Sequence, residues 1–313
     1  MNEYDVAIVG GGAAGLSAAL VLARARRAVV VIDAGAPRNA PAAHMQGFLS
    51  RDGLPPSELL AAGREEVAGY GGHLRSGTVS AVRPLHDEGG GFEVALADGS
   101  SVTARRVLVT TGLRDELPDL PGVRERWGRD LLHCPYCHGH EVREQRLGVL
   151  GGTPDAVQHA LLLRQWSHDV VFFAHTTTIT PVEREQLLAR AVGVVEGPVR
   201  GLVVEDDRLA GVELDTGRVV RRDAVFVRPP MTPNADLLAA LGCDTHDTGW
   251  VVADPAGRTT VPGVWVAGNA VNPRAQVITA AGEGSAAAIA INTDLVDEDV
   301  RLAVRDFRAG RPA

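Results

Sequence analysis

Cys134-Pro135-Tyr136-Cys137 places two thiols three positions apart, close enough to join in a small disulfide ring and to reopen as a dithiol. Thiol–disulfide exchange runs through a thiolate, and a thiolate near neutral pH requires a lowered pKa. The first turn of a helix supplies partial positive charge, and a neighbouring imidazolium adds to it. Three histidines flank the pair, His133 before it and His138 and His140 after it. A redox pair is the leading reading. A structural zinc site is the alternative, because Cys134, Cys137, His138 and His140 can be counted as four ligands. No second Cys-x-x-Cys accompanies them. The polar flanks argue against a buried, inert pair. Cys243 stands apart and reads as a small buried residue.

The chain that must position this pair reads as alternating strands and helices. Asp5–Val9 is a buried-strand run, Gly10-Gly11-Gly12-Ala13-Ala14-Gly15 follows, and Leu16–Ala25 has helix-forming composition. Strand, Gly-x-Gly-x-x-Gly, helix is the dinucleotide fingerprint in its required context. Gly10 makes the tight turn, Gly12 admits backbone to a pyrophosphate, and Gly15 lets helix pack on strand. The pyrophosphate belongs at the helix N-terminus. The next strand, Val29–Ile32, ends at Asp33, the position from which an acid holds a ribose hydroxyl. A loop follows through Ala34, Gly35, Arg38 and Asn39, with Arg38 able to face an adenosine or a phosphate. His44-Met45-Gln46-Gly47-Phe48 reads either as a surface loop or as a wall beside a flavin ring. A helix over Ser57–Tyr70, short strands at Val79–Val82 and Phe92–Leu96 around a turn at Asp87–Gly91, and a strand at Val107–Thr110 complete the first region.

After the cysteines the pattern repeats in damaged form. Leu147–Leu150 reads as a strand, Val157–Trp166 as a helix and Asp169–Phe173 as a strand. Thr153 stands where the second glycine belongs and Pro154 lacks a donor at the helix start. The strand end His175-Thr176-Thr177-Thr178 has neither an arginine for a 2′-phosphate nor an acid for a ribose. The first arginine beyond it is Arg184. Leu117–Gly122 and Arg228–Pro233 read as linkers. Thr260–Asn269 is turn, strand and small-residue stop, and Ala275-Gln276-Val277 opens a helix of small residues over Ala280–Ile291. Its N-terminus can face the flavin pyrimidine and stabilise the negative charge of reduced flavin.

Composition bounds the function. With 313 residues the chain can form two cored domains. Hydrophobic residues at 45% and charged residues at 22% exclude disorder. A net charge of -8 argues against a nucleic-acid surface, and the Arg24–Arg27 group reads as a solvated helix end. No apolar run approaches a membrane span. The start runs straight into a strand, which leaves no room for a signal peptide. With three cysteines in all, a reducing cytoplasm is the expected compartment, where a Cys-x-x-Cys is more often catalytic than structural.

In the order of its motifs the chain resembles the low-molecular-weight thioredoxin reductase family over nearly its whole length. The motifs are Gly10–Gly15, Thr110-Thr111-Gly112, Cys134–Cys137, Val261-Pro262-Gly263-Val264, Ala267-Gly268-Asn269 and Gln276-Val277. The resemblance implies an α/β fold of two Rossmann-like, three-layer domains. One is a discontinuous FAD-binding domain over 1–116 and 244–313; the other, over 117–243, is a degenerate NAD(P)H-type domain carrying the cysteines. It implies a homodimer. It assigns FAD to Gly10, Gly12, Gly15, Asp33, Asn269 and Gln276; Ala13, Ala14, Ala34, Gly35, Arg38, Asn39, His44, Gly47, Thr111, Gly112, Gly268, Ala275 and Val277 are further candidates beside them. It sets Cys137 against the flavin and Cys134 towards the exchange partner. Three departures stand out: His138 replaces the usual acid after the second cysteine, Asn269 replaces an aspartate, and the NADPH motifs are lost. Together they are similar to the dithiol oxidases of that family, which close disulfides in natural products such as holomycin and gliotoxin. That likeness implies a small dithiol substrate and O2 as acceptor, with His138 or His133 as base and no metal. The rivals are an NADPH-dependent reductase and a flavin-bound redox sensor.

Overall fold

Val6 and Ile8 alternate with Ala7 and Val9, and all four are buried. Apolar side chains on both faces suit a parallel strand covered on both sides. The computed structural model describes residues 3–86, 90–153 and 155–310. Pro154 and most of the expected Asp87–Gly91 turn lie outside them.

In chain order the first elements are β1 (Tyr4–Val9), α1 (Ala13–Arg24), β2 (Val29–Asp33), α2 (Pro56–Gly69), β3 (His73–Ser76), β4 (Val79–Pro84), β5 (Phe92–Leu96), β6 (Ser101–Val109) and β7 (Leu113–Asp115). There follow α3 (Val123–Arg126), β8 (Leu131–Leu132), α4 (Pro135–His138), β9 (Leu147–Leu150), α5 (Ala156–Leu163), β10 (Val170–Phe173), α6 (Pro181–Ala189) and β11 (Gly193–Val195). The last are β12 (Val199–Glu205), β13 (Arg208–Leu214), β14 (Val219–Arg221), β15 (Ala224–Val227), β16 (Met231–Pro233), α7 (Asp236–Ala240), β17 (Val264–Val266) and α8 (Val277–Arg308).

The chain divides into two units, 1–38 with 57–114 and 232–313, and 39–56 with 115–231. In the first, the sheet order is β3-β2-β1-β6-β5-β4, with β17 also on β6. Strands β1, β2, β3, β6 and β17 run parallel, while β4, β5 and β6 form an antiparallel meander. Val6, Ile8 and Leu108 pack under α1 and α8; Ala7, Val9 and Val107 pack on the other face with Leu238 and Cys243. The return to this unit therefore comes at residue 232, within the Arg228–Pro233 linker and ahead of the expected 244. Leu238 and Cys243 belong to its core. In the second unit, β11-β10-β9-β15-β8 form a parallel sheet beside the antiparallel β12-β13-β14. Both units are Rossmann-like α/β layers, as the repeated strand–turn–helix pattern predicts.

Two local expectations are corrected. The small-residue helix runs well past Ile291, because Leu295 is buried and the acids on either side of it find cations. Arg106 binds Asp294 at 2.6 Å and Glu298 at 2.8 Å, and Arg105 binds Glu298 at 2.9 Å and Asp299 at 2.5 Å. The Arg24–Arg27 group is not simply solvated, since Arg27 joins this cluster at Asp299, 2.9 Å away.

The second unit buries a titratable group. His159 on α5 packs edge-on against Phe226, and its Nδ1 is buried without a partner. Burial, helped by the nearby charges of His133 and Arg228, pushes its imidazole down to about 3. Above the unfolded value of about 6.5 neither state binds this proton. As pH falls below 6.5 the unfolded chain takes it and the native protein does not, so stability declines by about 1.4 kcal/mol per pH unit until the folded value is passed. His159→Leu is therefore expected to flatten the acid limb of stability. Urea unfolding at pH 7 and pH 4.5 reads the difference, and an equal acid loss in both proteins would contradict it.

Candidate active site

Cys134 precedes α4 in extended conformation, and Pro135 occupies the first helical position, where no backbone N–H is needed. The N–H groups of Cys137 and His138 both donate to the Cys134 carbonyl at 3.1 Å, and that of Gly139 to Pro135 at 2.7 Å. This single turn brings the two Cα atoms to 5.2 Å, and the sulfurs are bonded as a disulfide. The pair is thus a disulfide in this structure. No three His, Cys, Asp or Glu side chains among the described residues are grouped to hold a metal ion. A Cβ on Gly139 would lie 2.9 Å from the Trp166 ring, so the end of the turn rests directly on that indole. Tyr136 meets the same ring edge-on at 5.6 Å.

His138 is partly buried, and both its ring nitrogens lack hydrogen-bond partners. Burial holds its pKa below the ordinary histidine range, with Glu141 opposing the shift. A neutral imidazole with an unused lone pair can take a proton from a thiol. His133 Nδ1 lies 3.4 Å from the Val227 carbonyl.

The first unit builds a dinucleotide cradle from contacts between distant segments. Gly10 has φ +107°, and a Cβ there would meet the Thr110 carbonyl at 2.5 Å. The Thr110 hydroxyl lies 3.0 Å from the Val9 carbonyl and 2.9 Å from that of Gly10. A Cβ on Gly15 would come within 2.0 Å of the Gly10 carbonyl, so helix and strand touch through backbone. At Gly12 a Cβ would meet nothing within 4 Å, and no side chain caps α1. Open space before uncapped amides at Ala13 and Ala14 fits the pyrophosphate of FAD. Asp33 accepts from the Gly11 N–H at 3.1 Å and pairs with Arg64 at 3.2 Å. Ala34, Gly35 and Arg38 follow it in the same unit, whereas Asn39, His44 and Gly47 fall in the second unit's 39–56 segment.

At the C-terminal side, Thr111 donates from its hydroxyl to the Asn234 carbonyl at 2.7 Å, and the Gly112 carbonyl accepts from the Asn234 N–H at 2.9 Å. Asn269 spends both amide donors on the carbonyls of Asn272 and Ala275, at 2.9 and 3.0 Å. Its free edge is therefore an acceptor, as an aspartate's would be, which suits a ribityl hydroxyl. Glu283 accepts from the Gly268 N–H at 3.0 Å and from Asn272 at 2.6 Å, fixing this loop before Gln276 and Val277. Sequence reasoning missed Arg64, Asn234 and Glu283. Only Glu283 carried a signal, as the one charged residue between Gln276 and Thr293.

The second unit's turn is built otherwise. The Gly152 N–H donates to the Thr177 hydroxyl at 2.7 Å, and the Thr153 hydroxyl is buried without a partner. Arg184 pairs with Glu196, and Arg228 with Asp155 at 3.1 Å.

Known proteins bear on this geometry. A family model described as pyridine nucleotide-disulphide oxidoreductase matches residues 4–284. The chain is 30% identical to the thioredoxin reductase aclD of Aspergillus oryzae, over 95% of this chain and 98% of that one. The crystal structure of HlmI is similar with a TM-score of 0.95 and 60% identity, covering 97% of this chain and 96% of that one. A putative thioredoxin reductase TrxB from Bacillus anthracis gives 0.88 and 33%, covering 95% and 99%. The chain belongs to the pyridine nucleotide-disulphide oxidoreductase family, as a thioredoxin reductase-like oxidoreductase whose cofactor is FAD.

Proposed function

We propose that this protein is a dithiol oxidase: a small-molecule dithiol and O2 become a cyclic disulfide and hydrogen peroxide. It would work as a homodimer in the cytoplasm, on a substrate of the natural-product type. The observation that carries this reading is the second unit's turn. Its Gly152 amide is already engaged by Thr177, the strand end His175–Thr178 has neither an acid nor an arginine, and Arg184 beyond it is paired with Glu196. A nicotinamide donor is thereby disfavoured, which leaves the substrate as the source of electrons.

In this scheme one substrate thiolate attacks Cys134, and Cys137 leaves as a thiolate. The second substrate thiolate then attacks the substrate sulfur of the mixed disulfide and displaces Cys134, so that one S–S bond has moved from protein to product. His138 takes the thiol proton. FAD, when bound, supplies the two-electron acceptor that returns the cysteines to disulfide and passes the electrons to O2.

Oxygen uptake with dithiothreitol tests the proposal: one peroxide per disulfide is expected, without added NADPH. A flavin-loaded protein that consumes no oxygen with any dithiol would sink it. The name thioredoxin reductase on curated relatives favours a second reading, NADPH-driven reduction.

His138→Ala is expected to slow flavin reduction by dithiol about 10²-fold. Because its pKa is depressed, the base stays neutral below pH 6.5, and the histidine-dependent rate is lost only as pH falls through that lower value. Stopped-flow pH profiles of wild type and variant check this. Superimposable profiles would remove His138 from the chemistry.

A further inference from the structure

A side-chain amide takes its orientation from the polarity of its partners. In the loop between β17 and α8, backbone groups of fixed polarity decide it. Asn272 Oδ1 accepts from the Arg274 N–H at 3.0 Å. The atom of Asn272 that meets Glu283 at 2.6 Å is therefore the nitrogen, and Glu283 must accept there. The other Glu283 oxygen accepts from the Gly268 N–H at 3.0 Å. Glu283 thus accepts on both side-chain heteroatoms, which a carboxylate does and a glutamine does not. The Asn272 and Ala275 carbonyls accept from one atom of Asn269, at 2.9 and 3.0 Å. Two carbonyls exclude an oxygen at that place, so Asn269 turns its nitrogen inward.

Polarity therefore passes along the loop in one direction. Glu283, on the second turn of α8, reaches back to both ends of the segment Gly268–Asn272. The Asn272 N–H closes the same segment on the Gly268 carbonyl at 2.9 Å. We propose that Glu283 and Asn272 are positioning residues for FAD: a carboxylate at 283 and an amide at 272 lock this segment so that Asn269 offers the cofactor an acceptor alone. Both act through Asn269. An aspartate at 269 would set a carboxylate oxygen against two carbonyls, so Asn269→Asp should weaken FAD binding about tenfold or more.

The decisive experiment reverses the polarity of the pair. Glu283→Gln alone sets one amide donor against another, and Asn272→Asp alone sets two carboxylates face to face. Each should raise the FAD dissociation constant about tenfold or more. With both substitutions every bond can form again. The carboxylate now at 272 accepts from the Arg274 N–H and from the amide now at 283, whose oxygen accepts from the Gly268 N–H. The double variant should therefore bind FAD within about threefold of wild type. The FAD-loaded full chain is diluted stepwise and released FAD is read by its fluorescence, while visible circular dichroism reports the setting of the flavin that stays bound. General loosening of the loop would make the two losses add, whereas opposed polarity makes them cancel. A double variant that binds FAD no better than either single one would overturn the proposal, as would single variants and Asn269→Asp that all stay within about threefold of wild type. If a single variant loads no FAD, loading of the double variant decides by the same rule. FAD release is read without turnover, so the outcome is separate from the oxygen-uptake test of the oxidase.

Discussion

Micromolar NADPH, added without oxygen, is expected to leave the flavin absorbance essentially unchanged for minutes, whereas a small dithiol bleaches it and air restores it with release of peroxide. The argument is one of missing contacts. Charge-assisted hydrogen bonds from arginine to a 2′-phosphate contribute on the order of 1.5–3 kcal/mol each. Losing two weakens NADPH by about 3 kcal/mol or more, a factor above roughly 10² in affinity. The geometry extends that loss. The Gly152 amide is donated to Thr177, and Arg184 and Arg228 are paired with Glu196 and Asp155. Freeing either would break an ion pair before a phosphate could be held. Rapid bleaching by micromolar NADPH would overturn the oxidase proposal and favour the reductase.

The cysteine variants should separate the two sulfurs. Cys137→Ser is expected to lower dithiol turnover by about 10³-fold or more, since residues acting as one catalytic unit fail together when either is removed. Cys134→Ser should lose turnover as well, and a long-wavelength charge-transfer band in that variant would be the sign that Cys137 is the sulfur which reduces the flavin on the proposed mechanism. The structure bears on the argument because one helical turn closes the pair, so a serine leaves the backbone of α4 undisturbed and tests sulfur chemistry alone. Full turnover in both variants would make the disulfide structural.

What the sequence disclosed was local, and what it hid was distant. The strand–glycine–helix units were legible because Gly10, Gly12 and Gly15 act within six consecutive residues. The cysteine turn was legible because Pro135 starts a helix at once. Arg64 on Asp33 and Asn234 on Thr111 were invisible, since 31 and 123 residues separate the partners. The length of α8 was missed for the same reason: its second half is held by arginines of α1's end and β6, which no periodicity within the helix reveals. His138 showed its type but not its burial, and burial is what keeps it neutral.

One junction has a wider consequence. Ala14 touches both of the other cofactor-side stretches: a Cβ on Gly284 would fall 2.0 Å from its carbonyl, and one on Gly268 would lie 3.0 Å from its methyl. The residues proposed to face FAD are thus also residues that pack α1 on α8. Cofactor occupancy and folding then form a single linked equilibrium, in which FAD at a hundredfold excess over its Kd adds about 2.7 kcal/mol to stability. Chains made without FAD would lack that increment and would unfold at lower denaturant concentration than the loaded protein.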